Sequence, residues 1–242
     1  MRKAADEGHR VVLVVATRGE HGEVEDGFLN DGEQLWERRV TETEEAAKIL
    51  GAQRVEFLGY VDSGMMGTET NDAPGSFWST PVDDAAAKLA AILREENADV
   101  LTCYDDNGQY GHPDHIQVHR VGVRAAELAG TPRVYQSTMN RDHLLRGMRA
   151  YAEQNAEAAV DMPDIEGANL GKPESEITAA VDVVSYVDVK RQAMRAHASQ
   201  IGEQSFFLTM PDEGFAHAFG TEWFIRAGEG PGITETDLMA GL

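Results

Sequence analysis

Cysteine is nearly absent from this 242-residue chain, which holds only Cys103. A single thiol closes no internal disulfide, so the sequence makes no demand for an oxidising compartment. Cys103 follows Asp99-Val100-Leu101-Thr102, a strand-like run, and reads as a small core residue. Basic residues are scarce as well. Lys and Arg number 21 against 42 Asp and Glu, a formal charge of −21. A nucleic-acid binder presents a basic face, and an anionic membrane surface attracts one. This charge balance supports neither partner, so no nucleic acid and no membrane is expected. Long apolar runs are missing too. The longest, Val11 to Ala16, is strand-sized, far short of the roughly 20 residues of a membrane helix. The first residues carry charge with no apolar segment behind them, so no signal peptide is read and a cytoplasmic location is expected. There is no Gly-x-Gly-x-x-Gly, no Gly-x-x-x-x-Gly-Lys and no Gly-x-Ser-x-Gly. Those absences remove dinucleotide binding, nucleotide-phosphate binding and a serine nucleophile elbow.

What is present alternates. Hydrophobic residues make up 42% and charged residues 26%, ordinary for a globular chain of one α/β domain, expected over residues 1–242. Met1 to Glu7 reads as a helix end capped by Gly8, and Val11 to Val15 as a buried parallel strand. A helix over Glu33 to Leu50, a strand over Arg54 to Leu58 and a loop from Tyr60 to Pro81 follow. Next come a helix over Asp83 to Glu96, a strand over Asp99 to Tyr104, a helix over Pro113 to Ala129 and a strand over Arg133 to Ser137. Arg141 to Glu157 reads as a helix, Asp161 to Glu176 as a loop, Ile177 to Val184 as a strand and Val187 to Ile201 as a helix. Phe215 to Ile225 reads as an edge strand. This rhythm predicts a Rossmann-like, mostly parallel sheet with helices on both faces. Val11 to Val15 and Val100 to Cys103 are expected to lie parallel in that one sheet. Oligomeric state is not legible.

Ligands of open α/β sheets bind beyond the carboxyl ends of the strands. Three loops leave such ends: Thr17 to Asp31, Gly59 to Pro81 and Asp105 to His112. The third leads into Tyr110-Gly111-His112-Pro113-Asp114-His115. Pro113 suits the first position of a helix, which puts His112 at the N-cap and His115 one turn on. Two imidazoles and a carboxylate then crowd a helix N-terminus, where free N–H groups favour developing negative charge. His119, four residues past His115, is a weaker candidate ligand. His197 reads as a core or supporting residue, and Met65 and Met66 as loop packing.

Tyr110 to His115 closely resembles the second motif of the PIG-L/LmbE-like N-deacetylases, the GlcNAc-PI de-N-acetylase family. Val11 to Glu20, Arg39-x-x-Glu42 with Ala46 and Ala47, Leu58-Gly59-Tyr60 with Asp62-Ser63-Gly64-Met65, and Lys190 to Ile201 resemble that family in the same order. Asp62-Ser63-Gly64-Met65 with Gly67-Thr68 resembles the mycothiol-pathway branch acting on N-acetylglucosaminyl-inositol more than its S-conjugate amidase relative. The resemblance implies a zinc-dependent hydrolase that removes an acetyl group from an N-acetylglucosamine-type conjugate. It implies that His115 ligates zinc, that His112 stabilises the tetrahedral intermediate or acts as acid, and that Asp114 orients His112. Tyr110 would polarise the amide carbonyl. Glu20, Arg39, Asp62 and Ser63 are the implied substrate contacts. The family's first motif, Ala-His-Pro-Asp-Asp-Glu, carries two zinc ligands and the general base, and these 242 residues do not contain it. The expectation is therefore an N-terminally incomplete domain, lacking its first strand, with a partial zinc site and little activity. The alternative is a non-catalytic sugar-binding or interaction protein that retains the fold.

Overall fold

The computed structural model describes residues 1–154, 167 and 170–242. In chain order the elements are α1 (Arg2–Asp6), β1 (Val12–Val15), α2 (Leu35–Ile49), β2 (Arg54–Phe57), α3 (Val82–Glu95) and β3 (Val100–Tyr104). Then come α4 (Gly108–Gly111), α5 (Pro113–Ala129), β4 (Arg133–Thr138), α6 (Arg141–Gln154) and β5 (Ala179–Asp182). The chain closes with α7 (Val187–Ala196), α8 (Phe206–Thr209), α9 (Asp212–Phe219) and β6 (Thr221–Arg226). They group into two compact units, Met1–Pro81 with Val183–Gly220, and Val82–Asp182 with Thr221–Leu242.

The α/β class holds, but the single sheet does not. β1 pairs in parallel with β2, and β3 in parallel with β4, yet the two pairs belong to separate sheets. Alternation of strand and helix predicts parallel neighbours. It does not say which strands share a ladder, and among the described residues no ladder joins β1 to β3. The second sheet runs β3-β4-β6-β5, with β6 antiparallel to both neighbours. The expected terminal edge strand is thus an interior one. Phe215 lies in α9, and the strand begins only at Thr221.

In the first unit, α2 packs on α7, burying Ala46, Ala47 and Ala193. The start of α2 falls two residues later than expected. Glu33 is spent on the preceding turn, where its carboxylate accepts the N–H of Asn30 at 2.9 Å and pairs with Arg38. Glu37 then accepts the N–H of Gln34 at 3.0 Å, half of a capping box. The end of α7 falls five residues early, because a tertiary bond replaces the helical one. The N–H and hydroxyl of Ser199 both donate to the buried carboxylate of Glu42, at 2.8 and 2.6 Å. Removing that acceptor strands two buried donors, so Glu42→Ala should cost about 2 kcal/mol. Ser199→Ala removes one partner and should cost about 1 kcal/mol. Urea unfolding of both variants checks the ranking.

In the second unit, α3 packs on α5 and α5 on β3. Ala85, Ala86, Leu89, Ala90 and Leu93 recur at helical spacing on one buried face of α3, and Val121, Gly122, Ala125 and Ala126 do so on α5. Gly122 lets α5 lie close to β3, since a Cβ there would sit 3.0 Å from that of Cys103. Burial, and secondarily the charge of Asp105, push the Cys103 thiol up to about 12, so it behaves as the inert core residue expected. Helix α6 is described to Gln154, and the expected helix and loop over residues 155–166 and 168–169 lie outside the described residues.

Candidate active site

The loops after β1 and β2 are bound together in the first unit by exchanged hydrogen bonds. Glu20 Oε2 accepts the N–H of Asp62 at 3.0 Å, and Asp62 Oδ2 accepts the N–H of His21 at 3.2 Å. Each carboxylate thus holds the other's loop. Asp62 Oδ1 also turns the chain by accepting from Gly64 at 2.9 Å, an Asx turn. Arg18 lies over the Trp36 ring, 4.4 Å from its centroid, and donates to Glu20 at 3.0 Å.

Arg39 is 8% exposed and reaches these loops from α2. Its guanidinium donates to the carbonyls of Gly19 at 2.7 Å and Glu23 at 3.3 Å. Burial lowers its pKa, opposed by the charges of Asp62, Glu42 and Glu20. Gly19 and Gly22 make room for it: a Cβ at either would lie 2.2 or 2.1 Å from the guanidinium. Ser63 is fully buried, where its hydroxyl bonds that of Ser76 at 2.9 Å and accepts the N–H of Trp78 at 2.9 Å. Phe77, fully buried against Tyr60 with ring centroids 5.2 Å apart, anchors the second loop. Met65 and Met66, expected as packing, are 54% and 50% exposed. Both sit in the tight Ser63 to Asn71 turn, whose interior is filled by polar side chains instead.

The second unit carries the histidines. Pro113 opens α5 and His112 caps it, its Nδ1 accepting the N–H of Asp114 at 3.2 Å. A neutral His112 ring with Nδ1 as acceptor carries its proton on Nε2, where it is a donor. His115 stacks on Tyr104, with centroids 4.1 Å apart and planes 11° apart. Its Nδ1 lies 3.3 Å from the Gly108 carbonyl. A carbonyl only accepts, so Nδ1 carries the proton there and Nε2 has the lone pair. Tyr110 meets the His115 ring edge-on at 5.1 Å, and the two imidazoles are 4.9 Å apart. Asp114 is buried. His119 Nδ1 is 3.1 Å from the Tyr104 carbonyl. His197 lies in the turn after α7 rather than on it, with Nδ1 buried and unbonded. Burial lowers its pKa, opposed by Glu42.

Among the described residues no group of three His, Cys, Asp or Glu side chains is placed to hold a metal ion. The donors on the page therefore do not fit a complete zinc site, which needs about three protein ligands. Sequence reasoning also missed the residues that shape the histidine loop, Asp105, Arg141 and Gly171. Asp105 reads only as the first residue of that loop, and the other two act on it from far along the chain.

Comparison with known proteins gives a family, a relative and two folds. The family described as PIG-L, GlcNAc-PI de-N-acetylase, matches residues 1–126. A 1D-myo-inositol 2-acetamido-2-deoxy-alpha-D-glucopyranoside deacetylase from Streptomyces griseus is 40% identical, over 100% of this chain and 83% of the relative. Among solved structures, an N,N'-diacetylchitobiose deacetylase from Pyrococcus horikoshii aligns with a TM-score of 0.54 at 19% identity, covering 93% of this chain and 75% of its own. A 4-carboxy-2-hydroxymuconate hydratase from Pseudomonas putida aligns with a TM-score of 0.58 at 18% identity, covering 94% and 88%. A deacetylase and a hydratase share this architecture, so the fold alone does not choose the reaction.

Proposed function

The chain belongs to the PIG-L GlcNAc-PI de-N-acetylase family, and from that premise we propose that it serves hydrolysis of the acetamide of an N-acetylglucosamine-type conjugate, with N-acetylglucosaminyl-inositol as the substrate. The observation that carries this reading is the His112–Asp114–His115 arrangement at the start of α5, beside Tyr110. The 40% identical relative that bears this substrate in its name supports the choice of sugar.

In the reaction, water adds to the acetamide carbonyl carbon, the C–N bond breaks, acetate leaves and the amine takes a proton. Nε2–H of His112 is a donor for the developing oxyanion, and the imidazolium form is a proton source for the leaving amine. The hydroxyl of Tyr110, 44% exposed, is assigned as a second donor to the same carbonyl oxygen. The positive end of the α5 dipole favours the negative charge. Asp114 is assigned the orientation of His112, whose Nδ1 takes its backbone N–H. Glu20, Asp62 and Arg39 are assigned to the sugar, with Glu20 and Asp62 accepting from hydroxyls and Arg39 acting through the loop it clasps. Ser63 supports that loop from inside.

The family's zinc would polarise the carbonyl and acidify its bound water. Of the residues here, His115 would hold it. A second reading is a sugar-binding protein without turnover. Zinc affinity separates the two in part. The chain should bind zinc at least about a hundredfold more weakly than a three-ligand site does, as calorimetry would read. A tight one-to-one site would show that three donors converge after all. Acetate release from the conjugate, followed by proton NMR, tests the reaction class itself. Release of any other fragment would remove the deacetylase reading.

A further inference from the structure

The loop between β3 and α5 contains Gln109, a non-glycine residue at φ +65°. Such a conformation costs about 1–3 kcal/mol and persists only where the surroundings over-determine it. Both peptide groups of Gln109 are held. Its N–H donates to Oδ1 of Asp105 at 2.8 Å, and its carbonyl accepts from the N–H of Gly171 at 2.7 Å. Asp105 is fully buried, and its other contacts are equally specific. Oδ1 also accepts the N–H of Asn107 at 3.1 Å, and Oδ2 accepts the hydroxyl of Thr138 at 2.6 Å.

The Gly171 grip is anchored in its turn. Arg141, at the start of α6, donates to the carbonyls of Leu170 at 2.9 Å and Gly171 at 2.8 Å. Lys172 pairs its N–H with the Met139 carbonyl at 2.9 Å and its ammonium with Asp106 at 2.6 Å. The consequence lies one residue back along the loop. Gly108 is folded so tightly against the first turn of α5 that a Cβ there would lie 2.6 Å from that of His115. Its carbonyl is the partner of His115 Nδ1.

We infer that Asp105 is a positioning residue, and that with the Arg141-anchored segment 170–172 it fixes the loop whose Gly108 carbonyl sets the ring tautomer of His115. The role rests on the deacetylase reading above, but the geometry it asserts does not need turnover. Asp105 touches neither ring. It acts through Gln109 and Gly108.

The test is side-chain NMR of protein labelled with 15N-histidine, using this chain without ligand. The wild type should show His115 as the Nδ1–H tautomer and His112 as Nε2–H. Asp105→Ala removes both acceptor oxygens and should lose the Nδ1–H signal of His115, while His217 on α9 stays unmoved. Gln109→Gly keeps both peptide bonds and should leave the His115 ring as it is. Where Asp105→Ala fails to fold, Thr138→Val removes only the Oδ2 partner and should move the same ring. A folded Asp105→Ala or Thr138→Val with an unchanged His115 signal would overturn the proposal. So would Gln109→Gly moving that ring as far as Asp105→Ala does. Failure of the acetate assay would leave this result standing, and failure here would leave that assay standing.

Discussion

Joining a strand and the family's Ala-His-Pro-Asp-Asp-Glu motif to the front of this chain should raise acetate release from N-acetylglucosaminyl-inositol by about a thousandfold or more at equal zinc, roughly 4 kcal/mol of barrier. The argument is a count of donors. By resemblance the motif carries two ligands and a general base, and His115 is the third ligand. Among the described residues no three candidate donors converge without it. Within the joined protein, His112→Ala should remove about a hundredfold of that gain in kcat with a small change in KM, the signature of a donor that acts in the transition state. Full activity in the 242-residue chain alone would place the ligands elsewhere. The first places to look are then His119, whose Nδ1 faces the Tyr104 carbonyl as that of His115 faces Gly108, and His197, since both oxygens of Asp105 already accept from N–H or hydroxyl groups and Asp106 pairs with Lys172. Acetate from neither protein would favour the sugar-binding reading.

The parts of this molecule legible in the sequence are those with local causes. Helix α5 matches its expected bounds, Pro113 to Ala129, because proline at N1 and Gly130 at the cap are chain-local signals. The His112 cap followed from the same proline. The misreadings have non-local causes. α7 stops at Ala196 because Glu42, 157 residues from Ser199, takes the donors of the next turn. β6 sits inside its sheet because β5 and β4 both pair with it, and no pattern within Thr221 to Arg226 announces two partners. The site divides in the same way. That His112 and His115 meet at the start of α5 could be read from Tyr110 to His115. What holds their loop could not, since Asp105 is read through Gln109 and Thr138, and Gln109 through Gly171. Arg39 shows the converse, a residue singled out for the substrate whose guanidinium is engaged by two loop carbonyls.

Gly171 offers the sharpest test of that non-local hold. It lies at φ +56°, and a Cβ there would stand 2.2 Å from the Met139 carbonyl oxygen and 2.8 Å from the Met139 Cβ. Two penalties then add in Gly171→Ala. Left-handed backbone costs an alanine about 1–2 kcal/mol, and forcing a methyl against packed backbone costs about 1–3 kcal/mol more. The obstructing atom is a carbonyl oxygen whose neighbour accepts no easy shift, because the Met139 carbonyl also takes the Lys172 N–H at 2.9 Å. The expected loss is about 4 kcal/mol, read by urea unfolding. Gly130→Ala is the control. Its φ is +79° with no atom within 4 Å of the added Cβ, so it should show the backbone penalty alone, about 1–2 kcal/mol. Equal losses at the two positions would mean that residues 170–172 do not press on β4's end as described. The Gln109 carbonyl would then lack the partner that keeps its strained φ in place.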